Sequence, residues 1–380
     1  MSETRPFEIS VSESELQDLK SRIAATRWPE AEVVDDWSQG TPLAYVQDVC
    51  RYWMEEYDWR RCEAIINSYP QFVTTVDGVD IHFLHIRSRF DEARPLVMTH
   101  GWPGSVAEFF KVIGPLTDPT EYGGNESDAF HLVLPTMPGY GFSGKPTEPG
   151  WGVERIGRAW GALMERLGYD KYFAQGGDWG SSVTHSIATT QTDHCIGAHV
   201  NFALVTPGEE VMTDLTDFEQ KAIEKLQYYL DVDGGYSKEQ GTRPQTIGYS
   251  LVDSPVGLAA WIIEKFWAWT DNNGSPEDAV SRDEMLDNVM MYWLTESGAS
   301  AARLYWESMS LLGQPQPPIH IPFGVSIFPH DIFIASERWY RERCSDLRYF
   351  KILNNGGHFA ATEKPDVFVD ELRKCFATMR

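Results

Sequence analysis

The chain reads as an α/β protein: a mostly parallel central sheet with helices on both faces, a helical cap, and a separate module in front. Strand-like apolar runs at 95–99, 130–135, 172–176 and 197–203 alternate with helix-compatible stretches near 105–116, 153–167 and 181–190. Such alternation builds a parallel sheet covered on both sides. It stops near residue 206, and helical patterns then dominate as far as Pro318, at 215–230, 256–269, 282–294 and 301–311. Strand-like runs resume at 323–327 and 349–353, followed by a helix over 366–377. The helical block is therefore an insertion into a sheet that closes after it.

Taken in order, Ser12 and Glu15 form a capping box that Val11 and Leu16 can staple, and Leu16, Leu19 and Ile23 share one helical face. A dense aromatic stretch follows, from Trp28 through Trp37, Tyr45, Tyr52, Trp53 and Tyr57 to Trp59. Together these define an N-terminal module, 1–70. Two alternating runs across 72–86 flank Asp77-Gly78, a strong two-residue hairpin signal, and open the first part of the core, 71–205. The insertion, 206–318, is placed as a lid. Its aromatics, among them Trp261, Phe266, Trp267, Trp269, Tyr292, Trp293 and Trp306, either line a pocket or pack lid to core, and packing is their ordinary role. Residues 319–380 complete the core.

Composition excludes several classes. At 380 residues and 42% hydrophobic content the chain can bury a large core, and one core with lids fits it better than several independent domains. Lys and Arg number 32 against 56 Asp and Glu, a formal net charge of −24, and form no basic run. Neither nucleic acid nor an anionic membrane suits that balance as a partner. Cys50, Cys62, Cys195, Cys344 and Cys375 are odd in number and show no CxxC pairing, so neither a disulfide framework nor a zinc site is indicated. No apolar stretch approaches the length of a bilayer span, and the start shows no basic-then-apolar signal. A cytoplasmic chain without a membrane anchor is expected.

The chemistry concentrates at 175–180, Gln-Gly-Gly-Asp-Trp-Gly, where an apolar run leads in and a helix-compatible run leads out. Asp178 stands where a strand-to-helix elbow presents a nucleophile, with Gly176 and Gly180 two residues to either side. A carboxylate attacking acyl carbon would make an anhydride, so this residue suits displacement at an sp3 carbon, giving an alkyl ester that water must cleave. The motif alone fits equally well a plain N-cap, where aspartate accepts backbone N–H bonds. Three further stretches favour the nucleophile. His100-Gly101-Trp102-Pro103-Gly104 leaves a strand end where oxyanion donors are needed. His358, in Asn354-Asn355-Gly356-Gly357-His358-Phe359, has the chain position of a base, and Asp331, beyond the strand-like 323–327, that of its orienting acid.

With these motifs the chain resembles the epoxide hydrolases of the α/β-hydrolase fold, in the microsomal branch that includes the juvenile hormone enzymes. The resemblance runs from Arg5-Pro6-Phe7 to the last helix and includes the cap sequences 253–260 and Glu264-Lys265-Phe266. It implies Asp178 as nucleophile, His358 as base, Asp331 as its partner and the backbone N–H groups of Trp102 and Trp179 as oxyanion donors. It also implies two cap tyrosines, Tyr236 and Tyr305, as proton donors to the epoxide oxygen, and residues 1–70 as a meander around core and lid. Two departures stand out: mammalian members carry an apolar N-terminal anchor, and they place glutamate where Asp331 stands.

The implied partners are a small-molecule epoxide and water, with no metal or organic cofactor in any step. A homodimer is allowed by the sequence and not required by it. The aromatic cap suggests a bulky or aryl epoxide, and soluble bacterial relatives extend the range to enediyne-type antibiotic biosynthesis. Two other readings remain open: a haloalkane dehalogenase, which uses an elbow aspartate with a halide cradle to which Trp102 and Trp179 could contribute, and a non-catalytic binding protein on the same fold.

Overall fold

The computed structural model describes residues 3–311, 313–314 and 316–380; Met1 and Ser2, at the start of the chain, lie outside the described residues, as do two positions in the exit from the cap. Nine strands form one sheet: β1 (Arg5–Pro6), β2 (Gln71–Val76), β3 (Val79–Ile86), β4 (Arg94–Thr99), β5 (Phe130–Pro135), β6 (Tyr172–Gly176), β7 (Cys195–Val200), β8 (Phe323–Ile327) and β9 (Leu347–Ile352). Their spatial order is β1-β2-β3-β5-β4-β6-β7-β8-β9. The β1–β2, β2–β3 and β3–β5 pairs are antiparallel, and every pairing from β5 to β9 is parallel. The sheet is that of the α/β-hydrolase fold.

The hairpin between β2 and β3 turns at Asp77 (φ 50°) and Gly78 (φ 84°), both left-handed, the backbone that matches the twist of the flanking strands. Strands β6 and β8 are buried along their whole length, as parallel strands between two helical layers must be. The chain runs from β4 to one side to make β5, then returns to the other side of β4 to make β6. The carboxyl ends of β4 and β6 thus flank a point where strand order reverses, where α/β sheets open a crevice. Thr99 pairs with Gly176 there, so the two loops that carry Trp102 and Asp178 start side by side.

Several boundaries differ from those the sequence suggests. The strand expected over 197–203 ends at Val200, because the chain then leaves the sheet and brings Phe202 against His358 at 5.1 Å between ring centroids. The helix expected from 181 begins at Asp178, and that expected over 105–116 is a 3-10 turn followed by Phe110–Thr117. In the cap, the first helix is Asp217–Tyr228, and its last turn widens into a π-helical turn, Tyr229–Asp233. Helices Gly235–Thr242 and Pro244–Asp253 are additional to those expected. Their glycines and Pro244 read as breakers in sequence, yet Pro244 occupies a first turn, where its missing N–H costs nothing. Pro255–Trp269, Arg282–Trp293 and Gly298–Ser308 complete the cap.

The front segment contributes more than a wrap. Its capping box at Ser12 forms, Arg5–Pro6 adds an edge strand, and Trp37 stacks on Trp267 of the cap at 5.0 Å. Tyr57 Oη donates to buried Asp287 on the cap helix Arg282–Trp293 at 2.8 Å, and Arg61 binds both oxygens of that carboxylate. Among the described residues no single helix is long and apolar enough to cross a membrane.

Candidate active site

Asp178 sits at the first turn of the helix Asp178–Thr190 with φ +48°, a left-handed conformation that side-chain-bearing residues rarely adopt. Holding it costs roughly 1–3 kcal/mol, and such strain persists only where surroundings over-determine it. Here they do. A Cβ on Gly176 would lie 2.0 Å from the Gly180 carbonyl oxygen, one on Gly180 2.0 Å from that of Thr99, and one on Gly101 2.2 Å from Asp178 Oδ1. The helix N-cap is Gly177, so Asp178 is not the capping residue and its carboxylate is free to face the crevice.

That carboxylate is only 9% exposed. Trp102 N–H donates to Oδ1 at 2.8 Å, while Oδ2 lies 3.2 Å from His358 Nε2. The N–H of Trp179 belongs to the first helical turn, where backbone donors have no acceptor inside the helix. The loop bearing Trp102 is held from behind by Asn288 Nδ2, donating to the Pro103 carbonyl at 2.7 Å, and by Tyr292 Oη, donating to the Gly104 carbonyl at 2.6 Å.

His358 is aimed by contacts on every side. Its Nδ1 is 2.7 Å from Asp331 Oδ1, so the aspartate arm reaches the imidazole directly, and the same oxygen accepts the Ile332 N–H at 2.7 Å. The His358 N–H donates to the Trp269 carbonyl at 2.8 Å, an approach that a Cβ on Gly357 would block at 2.4 Å. Burial disfavours the imidazolium, but the Asp331 charge and the hydrogen bonds to Asp178 and Asp331 outweigh it and raise the pKa to about 10. The imidazole thus lies between two carboxylates that favour its protonated form.

Tyr236, on Gly235–Thr242, and Tyr305, on Gly298–Ser308, roof Asp178. The Tyr236 ring stacks on Trp102 at 4.8 Å, and the Tyr305 ring stands edge-on to Trp102 at 5.7 Å and to Trp179 at 4.9 Å. Burial pushes both phenols well above their ordinary range, which keeps them protonated and able to donate. A cavity of about 30 Å³ opens between them and Asp178, lined also by Phe202, Tyr229 and Phe333. Larger hollows lie elsewhere, such as one of about 410 Å³ beside Trp151 and Trp306, and do not touch Asp178. Among the described residues no group of three His, Cys, Asp or Glu side chains could hold a metal ion.

Of the seven residues singled out from sequence, Asp178, Trp179, Tyr236 and Tyr305 line this cavity, while Trp102 and His358 contact the Asp178 carboxylate and Asp331 contacts His358. Four neighbours were assigned no role from the sequence. Tyr229 places its hydroxyl 3.3 Å from that of Tyr236. Glu363 accepts the N–H groups on both sides of His358, Gly357 at 3.1 Å and Phe359 at 2.9 Å, and burial pushes it up to about 7. Glu108, half-buried behind Gly104, is pushed up to about 8 by desolvation. Lys265 lies over the Tyr236 ring. The spacing of Glu363 five residues after the histidine was a visible signal; for the others nothing local marks burial.

Residues 4–109 match the family model for the epoxide hydrolase N terminus, and residues 94–231 the model for the alpha/beta hydrolase fold. The chain is 52% identical over 375 residues to a protein of Stigmatella aurantiaca (strain DW4/3-1) named "Putative epoxide hydrolase", covering 99% of this chain and 85% of the relative. It is 35% identical to Epoxide hydrolase 1 of Oryctolagus cuniculus, over 97% of this chain and 88% of that one. The crystal structure of juvenile hormone epoxide hydrolase from the silkworm Bombyx mori superposes with a TM-score of 0.88 at 31% identity, covering 100% and 95% of the two chains.

Proposed function

The chain belongs to the epoxide hydrolases, in the branch of the microsomal and juvenile hormone enzymes, and from that premise we propose that it converts a bulky or aryl epoxide to a vicinal diol through an ester of Asp178. The observation that carries this reading is a single carboxylate held between Trp102 N–H and His358 under two neutral phenols. Ring opening expels an alkoxide, a poor leaving group in a dry pocket. Tyr236 and Tyr305 donate to that oxygen while Asp178 attacks carbon from the opposite side.

The protons balance without an external acid. Alkylation leaves a neutral ester at Asp178, a phenolate in the cap and an imidazolium at His358. Losing the Asp178 charge removes part of what held the His358 pKa near 10, so the imidazolium can return a proton to the phenolate and become a base. It then deprotonates water, which attacks the ester carbonyl. Trp102 and Trp179 N–H groups stabilise the oxyanion, and Asp331 stabilises the regenerated imidazolium. Diol leaves and the resting charges return. In this reading residues 206–318 act as the lid and 1–70 as its brace.

Expulsion of a strained ring oxygen suits paired phenols better than halide release does, and a bulky or aryl epoxide, enediyne-type intermediates included, suits the aromatic cap. The test is direct. Asp178→Asn is expected to abolish diol formation with the fold intact, and His358→Gln to accumulate protein heavier by one substrate molecule. Substantial turnover by Asp178→Asn, with deamidation excluded by mass, or chloride release from haloalkanes at comparable rates, would overturn it.

A further inference from the structure

Under the cap a buried ion pair touches the ring of Tyr236. Lys265, on the helix Pro255–Trp269, is 3% exposed. Its ammonium lies 3.1 Å from Asp233 Oδ1, 2.7 Å from Glu264 Oε2 and 4.5 Å from the centroid of the Tyr236 ring. Asp233 closes the π-helical turn Tyr229–Asp233, and its second oxygen accepts Trp269 Nε1–H at 2.6 Å. The same turn carries Tyr229, whose hydroxyl faces that of Tyr236 at 3.3 Å. One pair therefore fixes both the turn and the ring.

Packing alone does not account for these charges. Apolar residues of similar volume generally stabilise a buried position as well as an ion pair does, since the pair must first be desolvated. What the pair supplies is a cation over a phenol face. That cation favours the phenolate over the neutral phenol, an effect felt when the proton leaves. We propose that Lys265 is a positioning residue for ring opening: with Asp233 it holds the Tyr236 ring on Trp102, and it supports the negative charge that forms on the Tyr236 oxygen. In that step the Asp178 oxygen bonds to carbon, the carbon–oxygen bond of the epoxide breaks, and the released oxygen takes the Tyr236 proton, leaving a phenolate beneath the ammonium.

This rests on Tyr236 as a proton donor, so the experiment separates the two claims. Single-turnover measurements with styrene oxide resolve alkylation from ester hydrolysis. Tyr236→Phe is made first; if it leaves alkylation unchanged, the donor assignment falls and Lys265 loses its role with it. Given slow alkylation in Tyr236→Phe, the double variant Lys265→Met/Asp233→Asn, which leaves only the partly exposed Glu264 carboxylate without its ammonium, is expected to slow alkylation roughly 10- to 30-fold. Ester hydrolysis should change less than about twofold, and the same double change made in the Tyr236→Phe background should cause little further loss of alkylation. Lys265→Arg should recover part of the rate. Near-normal alkylation in the double variant, equal slowing of both steps, or the same loss in the Tyr236→Phe background would each overturn the proposal. Should the double variant not fold, Lys265→Met alone is read in the same way, and failure of both would leave the pair a structural tie and end the proposal.

Discussion

Between two carboxylates, the imidazole of His358 has its pKa raised to about 10, and in the proposed mechanism it becomes a base only after one carboxylate is esterified. The raised pKa also links protonation to folding. A histidine near 6.5 in the unfolded chain and about 10 in the folded one contributes stability that is fully present below about 6.5 and is lost as pH rises through about 10. The difference in unfolding free energy between the wild type and His358→Gln should therefore narrow steadily from pH 7 to pH 10. A difference that stays flat across that range would show that the imidazole is neutral at rest. At this scale the sequence was informative wherever a residue sat in a motif with its own backbone signature, as Asp178 and His358 do. It assigned no role to Lys265, which stood only within a shared cap sequence, or to Glu363. Both are charged residues on helices, which pattern reading assigns to solvent, and only tertiary packing shows that Lys265 lies over the Tyr236 ring and that Glu363 accepts the backbone N–H groups flanking His358.

Elements carry the site through close backbone approach, and glycine marks where. At Gly176 and Gly180 the obstruction is a carbonyl oxygen at 2.0 Å, a backbone atom that cannot swing aside. Gly180→Ala should cost about 3 kcal/mol or more and disable both chemical steps. Gly235, one residue before Tyr236, has no left-handed φ, and a methyl group added there would meet no atom within 4 Å. Gly235→Ala should instead stabilise by about 0.5 kcal/mol by restricting the unfolded chain. Denaturant midpoints of the two variants test the contrast, and similar shifts would remove the elbow argument. The alternation of strands and helices, the Asp77-Gly78 hairpin and the Ser12 capping box were legible because each depends on local spacing. The π-helical turn at 229–233 was not, since its wider winding follows from Asp233 reaching Lys265 and Trp269 across the cap.

Over the whole molecule, the front segment reaches the chemistry through the cap. Tyr57 and Arg61 hold Asp287; on the same helix, Asn288 and Tyr292 hold the carbonyls of Pro103 and Gly104, and the neighbouring Trp102 N–H meets Asp178. The sequence showed a dense aromatic stretch ahead of the core but not this chain of contacts, because Asp287 is an ordinary helical acid until its partners, more than two hundred residues away, are placed. Asp287 is 4% exposed, and burial raises its pKa in spite of Arg61. Arg61→Met would leave this carboxylate with only the Tyr57 phenol and the Cys62 thiol and should destabilise the protein by about 1–3 kcal/mol, less than for a fully buried pair because Arg61 is partly in solvent. Loosening the helix also loosens the Trp102 N–H, which in the proposed mechanism acts most on the tetrahedral intermediate. Ester hydrolysis should therefore slow more than alkylation, and Arg61→Met/Asp287→Leu should regain stability. If the single variant melts earlier with both steps intact, the front segment braces the fold without reaching the oxyanion donor.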